Sequence, residues 1–512
     1  MGDFPIPTGN DSSSVSTLKI EKVPTDILGF DEIAHGGIPR GRTTLVSGTS
    51  GTGKTIFGME FLVNGIVNHN EPGVFVTFEE TPQDMIRNMM SFNWNIQKFI
   101  EDGTFVFVDA SPSEDVSIEV GEFDLGGFLA RLLSAIEKVH AKRMTIDSIS
   151  ALFPRYSDEA IIRRELYRIA SKLKKLGITT ILTAERLSEG KGRIGRFGVE
   201  EFVSDNVILL HNYIDEIRGD RKRSIEILKF RGSTHERQDT PLLVLDNGIN
   251  VFPRPKPSFK GQKSSNVKIS TGIPGLDQMF FGGVYSRSTT LVTGPSGTGK
   301  TVLSTGFIVE GAKRQERSLM ISFEESTDQI FRNAESFGWE LQNLINSGFV
   351  RIFSSVPEEH TAEEHFRRIR NIVEEVEIKR FVLDSLSALE RIYPPDKFRE
   401  FTVGLTAYLK YMGVTSFLTN TTSSLLDVSQ ITETNLSTTT DNIILLKYVE
   451  LEGQMKRALA IIKARGSDHE KSLYEVLINN QGMLIGDAFM GVENLMSGIA
   501  RRLETSGKNV IE

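Results

Sequence analysis

Short apolar, β-branched runs alternate with longer segments of helical period along most of this chain. Thr43-Thr44-Leu45-Val46 and Val74-Phe75-Val76-Thr77-Phe78 have the character of buried strands, whereas Phe128 to Val139 and Ile161 to Leu173 are helix-period segments. Such alternation predicts a mainly parallel sheet with helices on both faces, because each parallel connection needs a crossover that returns over the sheet.

The pattern occurs twice, in the same order. Phe75-Val-Thr-Phe-Glu79-Glu80-Thr81 recurs as Met320-Ile-Ser-Phe-Glu324-Glu325-Ser326, and Met144-Thr-Ile-Asp147-Ser148 recurs as Phe381-Val-Leu-Asp384-Ser385. Ser204-Asp-Asn-Val-Ile-Leu-Leu210 matches Thr440-Asp-Asn-Ile-Ile-Leu-Leu446, and Ile227-Leu-Lys229-Phe-Arg231-Gly-Ser233 matches Ile461-Ile-Lys463-Ala-Arg465-Gly-Ser467. Between the halves, Phe252 to Ser265 holds three prolines at alternate positions among polar residues, as a semi-extended linker would. The expected organisation is a Ser/Pro/Gly-rich disordered start (1–16), a first α/β domain (17–252), the linker (253–265), a second α/β domain (266–490) and a C-terminal tail without counterpart (491–512).

Each half carries a full phosphate-binding loop signature: Gly48-Thr49-Ser50-Gly51-Thr52-Gly53-Lys54-Thr55, and Gly294-Pro295-Ser296-Gly297-Thr298-Gly299-Lys300-Thr301. Glycines let backbone N–H groups close on phosphate oxygens, the lysine reaches the β- and γ-phosphates, and the threonine hydroxyl ligates Mg²⁺. A strand-like run leads in and a helix-compatible run leads out, which puts the phosphates on a helix N-terminus. ATP and Mg²⁺ are therefore the expected cofactors, one nucleotide per half.

Other candidate chemistry follows from position. Asp147 and Asp384 end strand-like runs, where a carboxylate holds Mg²⁺ beside Thr55 and Thr301. Glu79, Glu80, Glu324 and Glu325 follow apolar strands and can accept a proton from water or a hydroxyl; an acidic first helical turn is the other reading of the same residues. Lys229 with Arg231, and Lys463 with Arg465, are alternate residues on strand-like segments, so each pair shares a face. They can neutralise a phosphate tail, including one on a neighbouring subunit, or form a solvated basic edge. Only the second half offers the hydroxyl run Ser437-Thr438-Thr439-Thr440, standing where the first half has Glu201 and Phe202. Such runs are turns and caps in most settings, but its restriction to one of two matched halves points to phosphorylation.

Composition bounds these readings. With 39% hydrophobic and 25% charged residues the chain is ordinary globular protein. Zero cysteines exclude disulfides and thiolate metal sites. The net charge of −8 gives no global footprint for nucleic acid, and no apolar run reaches the length of a membrane span, so a cytoplasmic location is expected.

The loop Gly48 to Thr55, the segments Phe75 to Asp84 and Gly198 to Asn206, and Ile443 to Glu450 together resemble the KaiC family of circadian-clock ATPases and autokinases, over nearly the whole chain. The resemblance implies tandem RecA-like P-loop domains, called CI and CII, in a homohexameric double ring that can stack to a dodecamer, with ATP at subunit interfaces. CI would hydrolyse ATP; CII would also phosphorylate its own chain. It implies Glu79 and Glu324 as catalytic glutamates, with Glu324 helping Thr301 to hold the metal. Ser437 and Thr438 would be phosphorylation sites, with Thr432 and Arg391 nearby. Ser91, Lys229, Phe230, Arg231 and His235 would contact nucleotide in the first half, and Phe337, Lys463, Arg465, Gly466 and His469 in the second. A KaiB-like protein is the implied partner. The tail Gly491 to Glu504 differs from the family segment that binds KaiA, which puts dependence on a KaiA-like activator in question. Phe337 and Asp468 each stand where the family has tryptophan. A RecA-like DNA-dependent motor and a nucleotide-gated scaffold without kinase activity are the competing readings.

Overall fold

The computed structural model describes residues 20–110, 125–151, 159–186, 203–214, 219, 221–254, 262–422, 436–451, 453–490, 492–493 and 501–502. Residues 1–16, Thr432 and most of the linker and tail lie outside that set. The chain divides into two compact units between Pro253 and Arg254.

In the first unit β1 (Lys22–Val23) and β2 (Ile38–Pro39) form a small ribbon. The main sheet is built from β3 (Thr43–Gly48), β4 (Gly73–Thr77), β5 (Phe105–Asp109), β6 (Arg143–Asp147), β7 (Thr179–Glu185), β8 (Asn206–Ile214), β9 (Arg221–Phe230), β10 (Thr240–Leu245) and β11 (Gly248–Val251). Its order is β11-β10-β9-β8-β3-β7-β6-β4-β5, parallel from β8 to β5 and antiparallel from β8 to β11.

The second unit has the ribbon β12 (Lys268–Ile269) and β13 (Val284–Tyr285), then β14 (Thr289–Gly294), β15 (Ser318–Ser322), β16 (Val350–Ser354), β17 (Arg380–Asp384), β18 (Thr415–Thr421), β19 (Asn442–Leu451), β20 (Gln454–Ala464), β21 (Tyr474–Asn479) and β22 (Gly482–Ala488). The order β16-β15-β17-β18-β14-β19-β20-β21-β22 repeats the first sheet strand for strand. Both units are thus RecA-like α/β sandwiches, as the alternating pattern and the resemblance led one to expect.

Each sheet separates two apolar cores because neighbouring residues on a strand point to opposite faces. Val74 and Val76 pack with the helices Leu125–Val139 and Glu159–Lys175, whereas Phe75 packs with the P-loop helix Lys54–His69. Full burial of a side chain such as Phe57 or Phe75 is worth roughly 1.5–3 kcal/mol.

One polar device inside this packing positions the site. Arg143, fully buried at the start of β6, donates to Glu71 Oε2 (2.7 Å) and to the Phe61 carbonyl (2.9 Å), with its guanidinium 4.6 Å from the Phe61 ring centre. A Cβ on Gly65 would come within 2.5 Å of the arginine, so the helix needs glycine there. Arg380 repeats the arrangement with Glu316, the Phe307 carbonyl and ring, and Gly311. The strands so pinned to the P-loop helices are those whose far ends carry Asp147 and Asp384.

Candidate functional site

The phosphate loops follow the central strands β3 and β14 and open the helices Lys54–His69 and Lys300–Lys313. Gly53 and Gly299 precede these helices at φ 99° and 103°, a left-handed conformation that favours glycine. Thr52 Oγ1 donates to the Thr49 carbonyl (2.9 Å) and Thr298 Oγ1 to the Pro295 carbonyl (2.8 Å), which closes each loop on itself. Lys54 Nζ donates to the Gly48 and Thr49 carbonyls at 2.9 and 2.8 Å, and Lys300 Nζ to those of Gly294 and Pro295 at 2.9 Å each.

Beside each loop the carboxylates converge. Asp147 accepts from Thr183 and from the loop threonine Thr55. Asp384 accepts from Thr419 and from Thr301 Oγ1 (2.7 Å). Burial pushes both carboxyls above their ordinary range, against these hydroxyl bonds. Ser148 Oγ donates to Glu79 Oε1 (3.3 Å) and Ser385 Oγ to Glu324 Oε1 (2.6 Å). Glu80 and Glu325 turn to Asn88 Nδ2 (2.9 Å) and Asn333 Nδ2 (3.1 Å). Burial, and then the neighbouring Asp147, raises the Glu79 carboxyl; burial and Asp384 raise that of Glu325. The acidic helix start also forms: Thr81 caps the helix Pro82–Met89, and Ser326 builds a capping box with Gln329.

In the first unit Glu79, Glu80, Asp147 and Ser148 line a cleft of about 470 Å³, together with Ser50, Gly51, Gly53, Lys54, Thr55 and Glu185. The groups fit the expected cofactors. A loop lysine, an exposed cradle of backbone amides and a cleft of this size suit a nucleoside triphosphate. An all-oxygen set of threonine hydroxyl and buried carboxylate suits Mg²⁺.

The cationic pairs stand elsewhere. β8 runs parallel to β3 with Asn206 opposite Thr44 and Leu210 opposite Gly48, and Asn206 in turn pairs with Phe230. Lys229 and Arg231 therefore sit at the end of the sheet away from this chain's own loop, on the order of 13 Å along the strands. Arg231 falls just past the end of β9; it pairs with Asp205 (3.2 Å), and Lys229 Nζ donates to the Ser204 carbonyl (3.1 Å). Lys463 and Arg465 repeat the position, with Lys463 on the Thr440 carbonyl (2.7 Å) and Arg465 3.7 Å from Asp441.

The remaining expected residues are scattered around these two centres. Phe230 is a buried core ring, edge-on to His235 at 5.5 Å, so its side chain faces inward. Ser91 donates to the Asn88 carbonyl (3.4 Å) and does not line the cleft. Phe337 ends the helix Thr327–Ser336 and packs on Trp339, ring centres 5.1 Å apart. Gly466 turns the chain at φ 77°, and the His469 amide bonds Asp468. Arg391 lies 3.9 Å from Glu324 Oε1. Ser437 and Thr438 fall in the short helix Leu436–Thr439, which leads into β19, at the same sheet end as Lys463.

A sequence model of the family described as "ATPase: KaiC" matches residues 23–256 and 269–488. The chain belongs to the KaiC ATPase family. It is 46% identical over 493 residues to the circadian clock oscillator protein KaiC of Thermostichus vulcanus, covering 96% of this chain and 94% of that protein. The like-named protein of Prochlorococcus marinus (strain MIT 9313) is 44% identical over 488 residues, 95% of this chain and 97% of its own. That of Synechococcus elongatus is 43% identical over 490 residues, with 96% and 94% covered. Family membership implies nucleotide binding, the coarse function that the loops announced. Among the described residues no helix is long and apolar enough to cross a membrane.

Several residues of this KaiC-family site escaped the reading by motif. Arg223 Nε donates to the Gly51 carbonyl (2.9 Å) and lines the cleft, and Arg457 Nε does the same to Gly297 (3.1 Å). Ser148, Ser385, Asn88 and Asn333 orient the glutamates, as given above. Each has its twin at the same place in the other half, a signal the duplication carried without any known motif.

Proposed function

We propose that the first half hydrolyses ATP and that the second half both hydrolyses ATP and transfers phosphate to Ser437 and Thr438, in a homohexameric ring whose sites are completed between neighbours. The observation that carries this reading is the placement of the cations. Lys229 and Arg231, like Lys463 and Arg465, lie at the sheet end opposite their own loop, so they serve a nucleotide only by reaching one held by an adjacent copy. A closed ring gives every copy that neighbour.

Bound Mg·ATP supplies the transferable phosphoryl group and the metal charge. The loop amides with Lys54 or Lys300 hold the phosphates, while Thr55 with Asp147, and Thr301 with Asp384 and Glu324, hold the metal. Glu79 accepts a proton from attacking water, and Glu324 from water or the substrate hydroxyl; their neighbours Glu80 and Glu325 assist or position. Ser148 and Ser385 hold Glu79 and Glu324 beside the metal-binding aspartates. The cations from the adjacent copy neutralise charge that develops in transfer.

The short helix bearing Ser437 and Thr438 shares its sheet end with Lys463 and Arg465, which supports the same neighbour's site as the source of phosphate. Relatives bearing the name circadian clock oscillator protein support a timing role for this chain. A KaiB-like protein is the proposed partner, and dependence on a KaiA-like activator is not part of the proposal.

Incubation of the assembly with Mg·ATP followed by mass-spectrometric mapping tests the kinase part. Phosphate is expected at Ser437 or Thr438; label at neither, in folded protein that still hydrolyses ATP, overturns it.

A further inference from the structure

We propose that His35 is a positioning residue for hydrolysis in the first half, latching the segment that carries Arg231 and His235 toward the neighbouring copy's nucleotide. The inference rests on that trans reading and adds a residue to it.

The two halves hold this segment with partly matched contacts; Arg42 Nη1 donates to the Arg231 carbonyl (2.6 Å) in the first half, and Tyr285 Oη to the Gly466 carbonyl (3.2 Å) in the second. In both halves the segment after the cationic strand is tied by a backbone bond to the end of the first short helix: Glu236 N to the Ile33 carbonyl (2.8 Å), and Glu470 N to the Met279 carbonyl (2.9 Å). In both halves a lysine of the ribbon reaches across as well. Lys22 Nζ donates to the Ala34 and Thr234 carbonyls, and Lys268 Nζ to those of Phe280 and Phe281 and to Ser467 Oγ.

Among the described residues, the first half adds an imidazole latch that the second lacks. His35 places Nδ1 3.0 Å from Thr234 Oγ1 and Nε2 2.8 Å from Glu236 Oε1. It grips the segment on both sides of His235, four residues beyond Arg231. At the matching position of the second half stands Phe281, exposed and with no polar side-chain atom, and Asp468 replaces Thr234. Half-exposed hydrogen bonds of this kind add little to global stability. Their geometric effect is larger, since they fix a turn that ends in the trans cation and imidazole.

The experiment uses the full-length assembly with the second loop disabled by Lys300→Ala, so that turnover reports the first half. His35→Phe, which installs the residue of the other half, is expected to raise KM for ATP about threefold to tenfold, the scale of one or two lost hydrogen bonds, with kcat within about twofold. His35→Gln, which keeps a donor, recovers most of the parent KM, and Thr234→Val gives an intermediate shift even if His35→Phe assembles poorly. An unchanged KM in His35→Phe and Thr234→Val overturns the proposal. So does an equal loss of kcat in His35→Phe and His35→Gln, which marks a purely structural role. Arg231→Ala separates the two levels: normal kinetics in that variant sink the trans reading itself, whereas impaired kinetics there with normal His35→Phe sink the latch alone.

Discussion

In the first half the P-loop helix carries Glu60, a buried carboxyl that accepts the Ile249 backbone N–H at 2.8 Å and lies against Gly248. At the matching place in the second half the helix carries Gly306, and the Trp339 ring fills the space between Gly306 and Gly482. One half ties its last strand to the nucleotide helix through a hydrogen bond, the other through an aromatic wedge. The loop, Asp147 and Asp384, both glutamate pairs with their serine and asparagine partners, the buried Arg143 and Arg380, and the cationic strand ends are the same in both. The duplication has conserved the machinery that handles a phosphate chain and let drift what surrounds it. The departures, His35 against Phe281 and the hydroxyl run of the second half, are where the two halves are proposed to differ in function.

The largest expected effect breaks the shared part. With the second loop disabled, Glu79→Gln together with Glu80→Gln removes the proton acceptor and its neighbour, and turnover of the first half should fall about 10²- to 10³-fold with the assembly intact. Steady-state ATPase assays check it; wild-type turnover would mean that neither carboxylate does chemistry.

A smaller effect sharpens the unshared part. Burial pushes the Glu60 carboxyl from 4.5 up to about 8. Between pH 6 and 8 the folded first half thus retains a proton that the unfolded chain has lost. Its stability falls as pH rises through that window and levels off above it. The slope should amount to roughly 2–3 kcal/mol across those two units, and vanish in Glu60→Gln, whose amide still accepts from Ile249. The chain has 2 tryptophans, Trp94 in the first half and Trp339 in the second, so Trp94 fluorescence in a Trp339→Phe background follows the relevant unfolding. Equal pH slopes with and without Glu60 would contradict the assignment.

Much of this was legible in the sequence because it repeats. Short apolar runs alternating with helix-period segments, the loop signatures and the strand-end aspartates marked the fold and the phosphate site, and the structure brings Lys54, Thr55, Glu79, Glu80 and Asp147 to one cleft. What stayed hidden depends on register. That Arg231 lies at the far sheet end follows only from the pairing of β8 with β3 and β9, and Arg231 itself falls beyond the strand on which alternation had placed it. Arg223 reaches Gly51 from a strand distant in sequence, which no local motif encodes. Phe230 sits beside Lys229 in sequence yet buries its ring, because neighbouring strand residues face opposite sides.

Mixing two inactive chains tests the central claim most directly, namely that each nucleotide site is completed by a neighbour's cations. Lys54→Ala chains and Arg231→Ala chains, both also carrying Lys300→Ala, are dissociated, combined in equal amounts and reassembled, and the mass of the mixed rings is verified. Hydrolysis should return to about a quarter of the parent rate, since random placement around a ring pairs an intact loop with an intact Arg231 at one interface in four. Mixed rings no more active than either inactive chain alone would contradict the account.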